Sequence, residues 1–306
     1  MDTRPLGRTG LRVSVLGLGG GGIANLYLPL SDEEAVAVIH AALDHGIRYI
    51  DTAPLYGAGM SERRIGLALQ RHPAGGDCVV GTKIGFFPQD YDYSFEATIR
   101  SVEASRERLG LAQIPLIQIH ELRPEIWEAV MAPRGALAAL QHLRARGVVG
   151  HIGATSSDIA TLHRALTLEV FETVFVWKHF HLLDDSARPV LDEAAQRGIG
   201  VIIGTPFAGG ILASGTSPDA HYFYRPAPAE IQARVRPLEA LCRSAGVSLR
   251  AAALQFCLRH PAVACVVAGA DTPEQVRENV AALTEPIPPD FWSRLETVRA
   301  QGPAGQ

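Results

Sequence analysis

The chain has 306 residues, 47% of them hydrophobic, and a formal net charge of −4 at neutral pH. That length admits two average domains or one large α/β barrel, and the charge offers no basic surface to nucleic acid or anionic lipid. The four cysteines, Cys78, Cys242, Cys257 and Cys265, lie on apolar stretches without Cys-x-x-Cys spacing, which argues against a zinc site or disulfide framework and suits a reducing compartment.

Residues 4–13 alternate around Gly7 and Gly10 and predict a small hairpin. Val13 to Leu18 is the first core strand, running into Gly19-Gly20-Gly21-Gly22. Ser31-Asp-Glu-Glu34 is a capping box that opens a helix to His45. Ile47 to Ile50 is the second strand, ending in Asp51, and Ser61 caps a helix to Arg71. The alternation continues with strands at Cys78–Lys83, Ile114–His120, His151–Thr155, Val174–Phe180, Gly200–Gly204 and Ala264–Ala268. Each is followed by one helix, the seventh by two (229–245 and 248–259). Thr272-Pro-Glu-Gln275 is a second capping box, and Pro289–Arg299 closes the chain as a helix. Eight such units without a linker predict one α/β domain over 1–306: a single (β/α)8 TIM barrel with an N-terminal β-hairpin and a C-terminal helix. No apolar run approaches the ~20 residues of a membrane span. The polar N-terminus carries no signal core. The expectation is an unanchored cytoplasmic protein, a monomer or small homo-oligomer, with no nucleic-acid or membrane partner.

Gly17-Leu-Gly19-Gly-Gly-Gly22 matches G-x-G-x-x-G formally. A dinucleotide fingerprint needs the helix to begin on those glycines. Here Pro29 intervenes and the cap is Ser31. The run reads instead as a first loop on the upper rim, where backbone approaches a ligand closely.

In such barrels the chemistry sits at the C-terminal strand ends. Asp51, Lys83 and His120 end strands two, three and four, and Tyr56 lies in the loop after strand two. Each alone reads equally as a structural residue. Together they form a proton-transfer set. Tyrosine titrates near 10 in isolation, and a nearby ammonium favours the phenolate. Lys83 supplies the ammonium, Asp51 holds it, and His120 orients a substrate oxygen. Moving that proton to or from a carbonyl or hydroxyl oxygen requires a hydride partner, hence a nicotinamide. The only close histidine pair is His179-x-His181, and no metal site is expected.

Asp51-Thr-Ala with Tyr56-Gly57, Ser61-Glu62, Gly81-Thr-Lys83, Gln118-Ile-His120, Gly150-His-Ile-Gly-Ala-Thr155 and Glu278-Asn279 resemble the aldo-keto reductase family, from Arg4 to at least Leu283. The resemblance implies a catalytic tetrad of Asp51, Tyr56, Lys83 and His120, with Tyr56 as general acid/base, and an extended NAD or NADP. Arg4-Pro-Leu-Gly-Arg-Thr-Gly10, Ser61-Glu-Arg-Arg64, Tyr93-Ser94, Ala252-Ala-Leu-Gln-Phe256 and His260-Pro-Ala-Val263 resemble the branch of D-threo-aldose (L-fucose) 1-dehydrogenases, L-galactose dehydrogenases and pyridoxal 4-dehydrogenases.

The same resemblance maps a cofactor surface. The family's Ser-Asn for the nicotinamide amide falls at Thr155-Ser156, its glutamine near Trp177, and its stacking tyrosine at Gly204. Trp177 reads either as a ring face or as a core residue. Gly20 and Gly21, beside Asp51, and Thr205, Pro206, Phe207 and Gly210 belong to the implied loops. The phosphate end falls at Gly269, Ala270, Gln275, Glu278 and Asn279. Where forms preferring the 2′-phosphate carry a lysine and an arginine, this chain has Gly269 and Gln275, so the expectation is that NAD is preferred or that both forms are accepted. Aromatic runs at Phe86-Phe87-Pro88-Gln89-Asp90-Tyr91-Asp92-Tyr93 and His221-Tyr-Phe-Tyr224-Arg225 suit a hydroxyl-bearing ring. His179, Phe180 and His181 are candidates for the pocket wall. The expectation is an oxidoreductase of an aldose hemiacetal or aldehyde/alcohol. The alternatives are a carbonyl reductase of pyridoxal, small aldehydes or a natural-product ketone, and a nicotinamide-binding regulatory subunit.

Overall fold

The computed structural model describes residues 1–26, 28–85 and 91–300. Its main sheet has strands β1 (Leu16–Gly19), β2 (Tyr49–Asp51), β3 (Val79–Ile84), β4 (Ile114–Ile119), β5 (Val149–Ser156), β6 (Thr173–Val176), β7 (Gly200–Gly204) and β8 (Val263–Gly269). They pair in parallel in chain order, and β8 returns to β1, closing the barrel. At the seam Gly269 pairs with Gly19, and Gly19 pairs on its other side with Asp51.

A closed parallel sheet buries both faces, which explains why these strands read as unbroken apolar runs. The interior holds Tyr49, Leu116, Phe175, Ile202, Cys265 and Val267. Tyr49 is fully buried, and glycines make its room. A Cβ on Gly81 would lie 2.4 Å from the Tyr49 hydroxyl, and one on Gly17 2.9 Å from its ring. Close packing of this kind leaves no slack for a methyl group.

The hairpin pairs Thr3–Pro5 with Arg12–Ser14 and covers the N-terminal end of the barrel. Arg4 donates to the Val263 carbonyl at 2.6 Å, and the Arg8 N–H to the Gly198 carbonyl at 2.8 Å. Functional chemistry is therefore left to the opposite, C-terminal face.

Several elements differ from the sequence reading. The first strand is two: Ser14 ends the hairpin, its hydroxyl donates to the Leu16 carbonyl at 2.6 Å, and β1 begins at Leu16. Strand six stops at Val176, not Phe180, because Lys178 turns into the left-handed region at φ 74°. The helix expected to start from a Ser61 cap starts at Met60, after Gly59 at φ 90°. Strand four is followed by two helices, Pro124–Met131 and Ala136–Ala145. The first was not expected, although Pro124 at its start and Trp127 and Val130 on its buried side mark it. Thr272 caps its helix, but the Gln275 side chain accepts from the Asp271 N–H at 2.7 Å rather than completing the box. No helix among the described residues is long and apolar enough to cross a membrane.

Candidate active site

The C-terminal ends of the strands open into a cavity of about 860 Å³, within the range of small-molecule and cofactor sites. Asp51, Tyr56, Lys83 and His120 all line it. The Asp51 carboxylate accepts from the Lys83 ammonium in a fully buried ion pair. Lys83 also donates to the Thr52 carbonyl at 2.8 Å. The far carboxylate oxygen accepts from Gln118 at 3.2 Å and from the Tyr49 hydroxyl at 3.4 Å. Burial pushes Asp51 up and Lys83 down, toward neutrality, and their mutual attraction opposes both shifts. Such a pair persists because each partner would otherwise be an uncompensated buried charge.

The Lys83 ammonium lies 5.2 Å from the Tyr56 ring centroid, within cation–π range. The His120 ring meets that of Tyr56 edge-on, with centroids 6.0 Å apart. His120 lies one residue past β4 and extends its ladder, its N–H donating to the Ile84 carbonyl at 3.0 Å. Burial, and then the Lys83 charge, hold its pKa well below the usual value, so the imidazole is neutral at pH 7.

The Tyr56 loop is fastened by polar residues buried under it. The Ser61 hydroxyl donates to the Gly20 carbonyl at 2.9 Å and accepts from Thr52 at 2.8 Å. Glu62, fully buried, accepts from Thr82 at 2.6 Å and from Arg108 at 2.7 Å. It thereby ties the helix Met60–Arg71 to the strand that carries Lys83. Arg64 donates to the Ile23 and Leu30 carbonyls at 2.7 and 2.6 Å and fixes the first loop. Ser61 is thus a loop anchor rather than a helix cap.

Of the residues expected at a cofactor, Gly20, Gly21, Asp51, Thr155, Trp177 and Gly204 line the cavity, as do Thr205, Pro206, Phe207, Gly210, Gly269 and Gln275. Ser156, Ala270, Glu278 and Asn279 do not. Ser156 is buried and donates to the Leu122 carbonyl at 2.6 Å. Glu278 and Asn279 hold Arg250, accepting from it at 2.9 and 2.6 Å. Arg250 itself lines the cavity. The Thr155 hydroxyl is engaged with backbone, accepting from the Glu121 N–H at 2.7 Å and donating to the Ile119 carbonyl at 3.2 Å. His179 is bonded to Asp184 at 2.9 Å and to the Ser157 carbonyl at 3.0 Å. His179, Phe180 and His181 are not in the lining. Of the aromatic run after β3, residues 86–90 fall outside the described residues. Tyr93 packs against Gly85, where a Cβ would lie 2.1 Å from its ring.

Glu121, Asp271 and Arg250 are lining residues that the sequence reading did not single out. Glu121 had a readable signal, since it follows His120 at a strand end. Arg250 and Asp271 had none, for neither stands in a motif.

The cavity suits an extended dinucleotide. Its floor is the polar strand ends, and its far wall is backbone at Gly209–Gly210 and Gly269. No atom would lie within 4 Å of a Cβ on Gly210 or Gly269, which leaves open room above the chain. Arg250 sets one cation along the same wall.

A closed eight-stranded parallel barrel with this polar set at its C-terminal mouth defines a class of barrel oxidoreductases. The sequence profile of the aldo/keto reductase family matches residues 15–300. Pyridoxal 4-dehydrogenase of Microbacterium luteolum is 33% identical, over 98% of this chain and 97% of its own. D-threo-aldose 1-dehydrogenase of a Pseudomonas species is 35% identical, over 95% of each. Among solved structures, the holo form of aldo-keto reductase AKR11C1 from Bacillus halodurans superposes with a TM-score of 0.80 at 25% identity, covering 97% of this chain and 96% of that one. The chain belongs to the aldo/keto reductase family and is an NAD(P)-dependent oxidoreductase.

Proposed function

We propose that the enzyme interconverts an aldose hemiacetal, or a closely similar aldehyde/alcohol pair, with its oxidised form, using NAD in preference to NADP. The observation that carries this reading is the convergence of Asp51, Tyr56, Lys83 and His120 on one cavity. Tyr56 takes the proton of the substrate hydroxyl, or returns one to a carbonyl oxygen in the opposite direction. Lys83 favours negative charge on the phenolic oxygen during that transfer, and Asp51 keeps Lys83 in place. His120, neutral, gives a hydrogen bond to the substrate oxygen without adding charge. The nicotinamide, when bound, supplies the hydride acceptor or donor.

Substrate class is supported by the two dehydrogenase relatives and by the rim. Trp177, Phe223 and Tyr224 stand together, with ring centroids 6.0 and 6.3 Å from that of Trp177. The cofactor preference is supported by Asp271, Gly269 and Gln275 at the outer end. A 2′-phosphate there would meet the Asp271 carboxylate and no cation at Gly269 or Gln275, and the one arginine of that wall, Arg250, is already engaged by Glu278 and Asn279. The four cysteines are buried and free, which suits a reducing cytoplasm.

Steady-state kinetics on aldoses, pyridoxal and simple aldehydes, in both directions and with each cofactor, test the reading. Aldose oxidation with NAD is expected to be the most efficient reaction. Turnover of aldehydes alone would overturn the substrate, and a hundredfold advantage for NADP would overturn the cofactor.

A further inference from the structure

Glu121 has an unusual set of restraints for a residue with no role in the proton-transfer set. Its backbone lies in the left-handed region at φ 51°, a conformation uncommon outside glycine and asparagine and retained where surroundings over-determine it. The surroundings do so. Its N–H donates to the Thr155 hydroxyl at 2.7 Å. One carboxylate oxygen accepts from the Ser157 hydroxyl and N–H. The other accepts from the Trp177 indole N–H at 2.6 Å. The side chain is thereby turned into the cavity wall, one residue from His120.

Three donors do not exhaust a carboxylate, which offers about four acceptor sites. The remaining one belongs to the oxygen that Trp177 binds. Among the described residues no lysine, arginine or histidine forms an ion pair with Glu121. Lys178 is turned onto the face of the Trp177 ring instead, 4.1 Å from its centroid. The substrate end of the cavity therefore carries a fixed negative charge beside an aromatic wall.

We propose that Glu121 is a specificity-determining residue: its carboxylate accepts a hydrogen bond from a substrate hydroxyl and repels anionic substrates, so that the site takes uncharged polyhydroxylated compounds. The assignment rests on the aldose reading above. It gives Trp177 a second duty, holding the carboxylate as well as presenting a ring. A neutral sugar satisfies the acceptor that bound substrate would otherwise cover unpaired. A carboxylated or phosphorylated one brings like charge into a partly desolvated site.

The test compares matched neutral and anionic substrates in the intact enzyme and in Glu121→Gln. Galactose with galacturonate is one pair, and glycolaldehyde with glyoxylate is the other. The unaltered enzyme should favour the neutral member of each pair. In Glu121→Gln, kcat/KM for the neutral member should fall about tenfold, chiefly through KM, while that for the anionic member holds or rises. The NAD Kd, read by quenching of protein fluorescence, should not change. Trp177→Phe, which removes the N–H but keeps a ring, should shift the ratio in the same direction by less. Equal losses on both members, leaving the ratio unchanged, would overturn the proposal and leave Glu121 a loop anchor. Failure of the unaltered enzyme on both sugars would overturn the aldose reading instead, and the small-carbonyl pair would still decide the role of Glu121.

Discussion

The two ends of the cavity are built on different principles. At the inner end Asp51, Lys83 and His120 stand on or next to strands, with Tyr56 on the loop after β2, and the Asp51–Lys83 pair is held by partners that are themselves buried. Asp51 and Lys83 satisfy each other, Gln118 and Tyr49 brace the carboxylate, and Glu62 locks the strand beneath Lys83. At the outer end the wall is loop backbone. Asp271 stands there with burial raising its pKa and no opposing partner. It fits against the first loop only because Gly22 has no side chain, for a Cβ would lie 2.2 Å from its carboxylate oxygen. The inner end is a pre-organised site whose parts fail together. The outer end is a set of separable contacts that can be exchanged without loss of the fold.

Replacing Lys83 is the harshest way to break the contrast. Lys83→Met strands the Asp51 carboxylate in the barrel without its cation. Removing one partner of such a pair costs about 3–5 kcal/mol, so the urea midpoint should fall sharply along with turnover. Loss of activity with unchanged stability would show that the pair is not the keystone described.

Asp271→Asn should behave oppositely. A carboxyl group whose folded pKa is raised stabilises below its unfolded pKa and loses that contribution as pH rises through the folded value. At pH 7 the charge is therefore a burden, and the variant should be as stable as the parent or more so. Its kcat/KM ratio for NADP over NAD should rise about tenfold, equivalent to about 1.4 kcal/mol. A destabilised variant with unaltered preference would contradict the assignment of this end.

The smallest effect concerns pH at the inner end. His120 has a depressed pKa in the fold, so below about pH 6.5 the unfolded chain takes up the proton first. Stability then falls as pH falls. His120→Asn should remove that contribution, lessening the stability difference between pH 7 and pH 5.5 by at most about 1.4 kcal/mol. An unchanged acid limb would mean that His120 takes up its proton as readily in the native enzyme as in the unfolded chain.

The same contrast governs what the sequence discloses. Alternation of apolar runs and capped helices located all eight strands, and polar residues at strand ends located the inner end, because strand and mouth are related by a fixed geometry. The loops escaped. Lys178, Glu121 and Thr205 take positive φ without being glycine, so nothing in their residue type announces the turns that end β6 or aim Glu121 at Trp177. Ser61 has the residue type of a cap, but Gly59 opens the helix one residue earlier and frees the hydroxyl for Thr52 and Gly20. Arg250 enters the cavity from a helix half of whose buried residues are alanine, a position that only the packing of Glu278 and Asn279 reveals.

In the mechanism proposed above, Tyr56 carries the proton. Tyr56→Phe keeps the ring beside Lys83 and His120 and deletes only the hydroxyl. Cofactor titration and steady-state turnover on the same preparation test it directly. An unaltered NAD Kd is expected, with kcat lower by about 10²–10⁴-fold, the range of a lost general acid/base. Turnover within a few fold of the parent would contradict it.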